Sequence, residues 1–150
     1  MQSRPRREAV RRLAILVASV ALMPSAAQSA EQVPVAIKGY DPVAYFTLGK
    51  PTRGKQNISH VWDERRYHFV SSEHRELFKA DPVRYAPQFP DFCAMSLARG
   101  EIEEANPEYW LISDSKLYMF GKPYGPGLFQ RDLAKNVATA NQNRGIIRGR

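Results

Sequence analysis

The stretch from Trp62 to Tyr85 constrains the fold of this chain more than any other. β-Branched and aromatic residues flank a polar break at residues 63–66, which predicts two strands joined by a turn. Ser71 or Ser72 then precedes a helical pattern, and its hydroxyl can accept a hydrogen bond from a free N–H of the first turn. The helix ends before Pro82, because the residue that precedes a proline disfavours helical backbone.

The rest of the chain supplies a second hairpin and further helices. Tyr109–Ile112 and Lys116–Phe120 are predicted strands around a polar turn. Short helices are expected after Asp41 and after Asp91, whose carboxylates can cap a helix N-terminus. Apolar residues at helical spacing predict a C-terminal helix over residues 126–140, and no internal repeat is evident.

These elements predict the α+β class: a small antiparallel sheet made of two hairpins, packed by short helices and a C-terminal helix. Alternation along the second strand places His68 opposite Tyr67 and Phe69, so His68 is expected to face solvent. The expected core consists of large apolar residues from all of these elements: Trp62, Phe69, Leu77, Phe78, Phe92, Trp110, Leu117 and Leu133.

The composition limits the classes of function. The 150 residues are enough for one domain with a core, and a single cysteine excludes an internal disulfide. Of the net charge of +7, residues 1–30 carry +4 and the remainder +3. That remainder is too small to indicate a nucleic-acid-binding face, so we expect no nucleic-acid partner.

Residues 1–30 have the pattern of a signal peptide. Arginines precede an apolar run of 11 residues, Leu13–Met23, and small residues follow it up to Ala30. The run is much shorter than the ~20 residues that span a bilayer, so we expect no integral membrane segment after cleavage. A periplasmic or secreted protein is predicted, and the paired arginines fit either Sec or twin-arginine export.

Three segments resemble the YHS domain, a small module suspected of binding metal. They are the strand–serine–helix order that ends in Asp81-Pro82-Val83-Arg84-Tyr85, the segment Ala86–Met95 and the segment Pro107–Phe120. The resemblance is to the exported, single-domain branch of that family. It implies a YHS-like domain over residues 31–141, followed by a basic C-terminal tail at 142–150, and a metal ion bound through a cysteine. Some YHS modules carry a second cysteine where this chain has Ser71 and Ser72, so a two-cysteine site cannot form within one copy.

Cys93 is the leading candidate for chemistry. It lies near a predicted helix N-terminus, where the helix dipole favours the thiolate that binds soft metals such as Cu(I). Asp91 opposes this effect by its negative charge. The alternative is a buried thiol that behaves as a small hydrophobic side chain.

His74 and Met95 are the candidate assisting ligands. His74 shares a helix face with Leu77 and Phe78, and it could approach Cys93 if the helices pack as the resemblance implies. Met95 offers a thioether on the same predicted helix as Cys93. The alternatives are a hydrogen-bonded core histidine and a methionine that fills a gap in the core.

The expected function is non-enzymatic binding of copper or another soft metal ion by an exported YHS-domain protein, with Cys93 as the primary ligand. The alternative is a ligand-free structural or protein-interaction module. A thiol-based redox enzyme is less favoured, because the chain lacks a resolving cysteine. No catalytic or nucleotide-binding motif is present, no protein partner is indicated, and we expect a monomer.

Overall fold

The computed structural model describes residues 33–148 and confirms the α+β class, with two hairpins and short helices. The predicted signal peptide lies outside the described residues. In chain order the elements are a 3₁₀ turn (Ala36–Gly39), α1 (Ala44–Thr47), β1 (Lys55–Trp62), β2 (Arg65–Phe69), α2 (Ser72–Ala80), α3 (Pro82–Tyr85), α4 (Ala94–Ala98), β3 (Asn106–Ser113), β4 (Lys116–Phe120), α5 (Gly125–Gln130), α6 (Leu133–Gln142) and α7 (Gly145–Arg148).

The two hairpins form two separate two-stranded antiparallel sheets. Each turns through two residues in the left-handed region, Asp63-Glu64 in the first and Asp114-Ser115 in the second. Two-residue turns of this kind match the right-handed twist of the strands that they join. The strand predictions are therefore confirmed, although β3 begins earlier than Tyr109.

The second hairpin repeats the first at a constant shift of 51 residues. Lys55 pairs with Phe69, and Asn106 pairs with Phe120. In each hairpin an irregularity of register follows that pair, and the eight-residue strand is joined to a five-residue strand. The two hairpins therefore share length, register and irregularity.

The segments that precede the hairpins repeat as well. The backbone N–H of Asp41 donates to the Thr52 carbonyl at 2.8 Å, and that of Cys93 donates to the Glu103 carbonyl at 2.8 Å. Position 41 of the first half thus corresponds to position 93 of the second. The N–H of Gly54 donates to the Gly39 carbonyl, and in the second half the N–H of Ala105 donates to the Asp91 carbonyl. The β-bridge between Tyr40 and Arg53 likewise has a counterpart between Phe92 and Glu104.

Each half contributes an aromatic triplet to one of two apolar cores, and the core of the first half also includes Ala105, Leu117 and Met119 from the second. In the first, the ring of Phe78 lies 4.6 Å from that of Tyr67 and 5.3 Å from that of Phe69, centroid to centroid. The second half repeats this triplet with Phe129, Tyr118 and Phe120, at 5.3 and 5.4 Å. The sequence itself shows no internal repeat, because the halves correspond mainly in backbone hydrogen bonds and in a few aromatic positions.

Two predicted exposures were also wrong. Leu77 is 37% exposed, although Phe69, Phe78 and Leu117 are fully buried as expected. His68 is only 6% exposed, because the N-terminal segment pairs with β2 through a parallel bridge from Val35 to Arg66. The remaining members of the expected core are partly buried against the two clusters: Trp62, Phe92, Trp110 and Leu133.

The predicted C-terminal helix is two helices, α5 and α6. Asp132, with φ −142° and ψ 63°, leaves the helical region between them. The predicted basic tail overlaps the last residue of α6 and contains the short helix α7. Among residues 33–148, none of the helices combines the length and the apolar composition that crossing a bilayer requires.

Candidate functional site

Cys93 is the N-cap of α4. Its Sγ accepts a hydrogen bond from the backbone N–H of Ser96 at 3.5 Å, as a capping side chain does. The prediction that Asp91 caps this helix was therefore wrong. The Asp91 carboxylate instead accepts the N–H of Ile37 and pairs with Arg65 at 2.9 Å.

Glu103 supplies a carboxylate next to the sulfur. The backbone N–H of Cys93 donates to the Glu103 carbonyl at 2.8 Å, and the hydroxyl of Ser96 donates to Oε2 of the carboxylate at 2.7 Å. Lys122 lies on the other side, with Nζ 3.3 Å from Oε1. The Ser96 hydroxyl first, and then Lys122 and the Cys93 thiol, hold the pKa of Glu103 below its ordinary value.

The sulfur is deeply covered but its carboxylate neighbour is not. Cys93 is 3% exposed and Ser96 6%, whereas the Glu103 side chain is 33% exposed. Of these three groups, Glu103 is the one most open to solvent. A Cβ added at Gly121 would lie 2.6 Å from Cδ of Glu103, so the absence of a side chain there makes room for the carboxylate.

The structure places His74 in the first half of the chain, with partners other than Cys93. Its Nδ1 lies 2.7 Å from Oδ2 of Asp41, and its Nε2 lies 3.2 Å from Oγ1 of Thr47. Both ring nitrogens are therefore engaged. Met95, which follows Cys93 by two positions in the sequence, is partly buried and packs against the second core cluster.

The donors assembled at Cys93 are one thiol and one carboxylate. Among residues 33–148, no three His, Cys, Asp or Glu side chains are grouped so as to hold a metal ion. A thiolate and a carboxylate together suit a borderline divalent cation better than Cu(I), which prefers sulfur and imidazole. The residues thus fit a two-donor site and not a closed structural metal centre.

Sequence reasoning missed Glu103 because residues 101–107 carry acidic side chains without periodicity. Nothing in the sequence separates Glu103 from Glu101 or Glu104, of which Glu104 pairs with Lys38 instead. The internal correspondence with the first half is the signal that would have placed position 103 beside position 93.

Comparisons of the chain with models of protein families, with curated proteins and with solved structures found no match. The arguments for function therefore come from the residues and their geometry.

Proposed function

We propose that this chain is an exported YHS-like protein that binds one metal ion at Cys93, with Glu103 as the second donor. The observation that supports this proposal is that Ser96 joins the two side chains, donating its backbone N–H to Sγ of Cys93 at 3.5 Å and its hydroxyl to Oε2 of Glu103 at 2.7 Å. A bound cation would replace the proton of that thiol and neutralise two adjacent negative groups.

The burial of the sulfur favours loose or transient binding over a resident ion. Of the two proposed donors, Glu103 is the more exposed, at 33% of its side chain against 3% for Cys93. His74 would first have to give up Asp41 or Thr47. Cys93 is therefore the primary ligand and Glu103 the second donor. Met95 is a thioether that could supplement them, and His74 takes no part in the site.

Parallel titrations with Cu(I) under reducing conditions and with Co²⁺ test the proposal. We expect about one ion per chain, and with Co²⁺ a thiolate-to-cobalt charge-transfer band. Cys93→Ser should abolish binding, and Glu103→Gln should weaken Co²⁺ binding about tenfold or more, in the range found when a ligand's support is lost. Glu101→Gln is the matched control. Binding by Cys93→Ser as tight as that of the parent would refute the site.

The second candidate is a ligand-free structural or interaction module, and the 3% exposure of Cys93 favours it. In that case the thiol only caps α4 and fills the second core. It should then resist a polar alkylating reagent until the protein unfolds, and neither metal should change its spectrum. Labelling of the native protein within minutes would contradict this second candidate.

A further inference from the structure

A second cluster of reactive side chains lies in the first half of the chain. Asp41, His74 and Thr47 stand in series, with Oδ2 to Nδ1 at 2.7 Å and Nε2 to Oγ1 at 3.2 Å. In this order, the carboxylate orients the imidazole, and the imidazole can take the proton of the hydroxyl and so make it a nucleophile.

The burial of the three groups increases away from the hydroxyl. Thr47 is exposed, His74 is 9% exposed and Asp41 is fully buried. Only the hydroxyl end of the series therefore meets solvent.

Asp41 is fixed by more than the imidazole. Its Oδ1 accepts the N–H of Val43 at 2.8 Å, and its Oδ2 also accepts the N–H of Val70 at 2.8 Å. A carboxylate held in this way directs the proton of His74 to Nδ1 and leaves Nε2 to face Thr47. The ring thus presents an acceptor to the hydroxyl.

The hydroxyl of Thr47 has two acceptors within reach. Besides Nε2 of His74, the carbonyl of Val43 lies 3.0 Å from Oγ1. A hydroxyl has one proton, so it donates to either acceptor by rotation about one bond. The reactive arrangement is the one in which it donates to His74.

The second half of the chain shows that the fold does not need this series. At the shift of 52 residues that relates Asp41 to Cys93, Arg99 takes the position of Thr47, and at the shift of 51 residues that relates the hairpins, Gly125 takes the position of His74. The second half still forms its helix, hairpin and aromatic triplet. The side chains of the series are therefore an addition to the shared scaffold.

We propose that Thr47 is the nucleophile of a surface acyl-transfer site that accepts small activated esters, with His74 as general base and Asp41 as its positioning residue. Oγ1 of Thr47 attacks the ester carbonyl carbon while its proton passes to Nε2. The carbon–oxygen bond to the leaving alcohol breaks, and the alcohol takes the proton from Nε2. Water, deprotonated by the same nitrogen, then cleaves the acyl-threonine to a carboxylic acid and restores the hydroxyl.

The probe is 4-nitrophenyl acetate. The release of nitrophenol is followed over time. Mass spectrometry then identifies the acetylated peptide, which distinguishes acetylation at Thr47 from acetylation at Cys93. We expect acetylation at Thr47, its loss in Thr47→Val and its retention in Thr47→Ser. His74→Gln should slow acylation at least about tenfold, since general-base assistance contributes roughly 10²–10⁴-fold.

Thr52→Val is the control, because Thr52 is a second accessible threonine whose hydroxyl donates to the Lys50 carbonyl at 3.3 Å. It should react as the parent does. Acetylation of Thr47 no faster than that of Thr52, or equal rates for the parent and Thr47→Val, would overturn the proposal. Thr47 is exposed, so we expect its two variants to fold, which far-ultraviolet circular dichroism checks, and metal binding at Cys93 is not involved in either result.

Discussion

The backbone N–H of Ile37 donates to the Asp91 carboxylate at 2.6 Å, although 54 positions separate the two residues. Both lie in the left-handed region, with φ of 43° and 66°, which is unfavourable for a β-branched residue such as Ile37. Arg65 holds the same carboxylate from the other side. Asp91 therefore joins the start of the first half to the segment that leads into Cys93.

Asp41→Asn is expected to lower the free energy of unfolding by about 3 kcal/mol. The carboxylate is fully buried and accepts bonds from His74 and from the N–H groups of Val43 and Val70. An amide nitrogen in place of one oxygen would face donors that it cannot satisfy. Urea denaturation followed by circular dichroism measures the change. Asp132→Asn, whose side chain makes no capping bond, should shift the midpoint little, and equal losses in the two variants would contradict the assignment.

Phe78→Ala is expected to cost about 4 kcal/mol, because a fully buried ring in contact with Tyr67 and Phe69 leaves a cavity. Leu77→Ala, one position earlier on α2, should cost about 1 kcal/mol or less, since Leu77 is 37% exposed. The same denaturation experiment compares them. A larger loss for Leu77 would mean that the helix presents the other face to the core.

Gly121→Ala is expected to speed alkylation of Cys93 in the native protein several-fold. The new Cβ would lie 2.6 Å from Cδ of Glu103, so the carboxylate must shift away from the thiol that it contacts. The rate of labelling by iodoacetamide, measured by mass, reports this. Gly127→Ala meets no atom within 4 Å and is the matched control. Unchanged labelling in Gly121→Ala would show that Glu103 does not guard the sulfur.

Stability is expected to fall as the pH decreases below 6.5. Burial first, and then the charge of Arg66, lowers the pKa of His68 from 6.5, so the unfolded chain binds a proton that the folded chain refuses. The loss should develop between pH 6.5 and the lower pKa of the folded state. His68→Gln should flatten the plot of unfolding free energy against pH in that window.

Glu103→Gln serves as the control for this pH dependence. The pKa of Glu103 is lowered from 4.5, so its stabilising effect is complete above pH 4.5 and is lost only as the pH falls through the lower value. The slope near pH 6 should therefore be unchanged in Glu103→Gln. An unchanged slope in His68→Gln would refute the role of His68.

The hairpins and their turns were predictable because they depend on short-range patterns. Asp63-Glu64 and Asp114-Ser115 interrupt runs of strand-forming residues, and the structure turns at both places. His68 was misplaced because simple alternation assumes that one face of β2 meets water. Whether a distant segment such as Val35 covers that face cannot be read from the strand itself.

The candidate sites were predicted only in part, since their members come from different parts of the chain. Cys93 and His74 were identified by residue type, but Glu103 reaches Cys93 through the loop after α4, and Asp41 reaches His74 across 33 positions. The sequence predicted a cap at Asp41 and did not predict that the same carboxylate would hold an imidazole. Such contacts depend on tertiary packing, which local patterns do not encode.

The correspondence between Asp41 and Cys93 has a consequence for how the two halves can change. One backbone site, repeated, carries a hard oxygen donor in one copy and a soft sulfur donor in the other. A substitution that removes the reactivity of either copy leaves the other copy's side chains and their neighbours in place. The two proposed chemistries, at Cys93 and at Thr47, should therefore be separable by single mutations, one copy at a time.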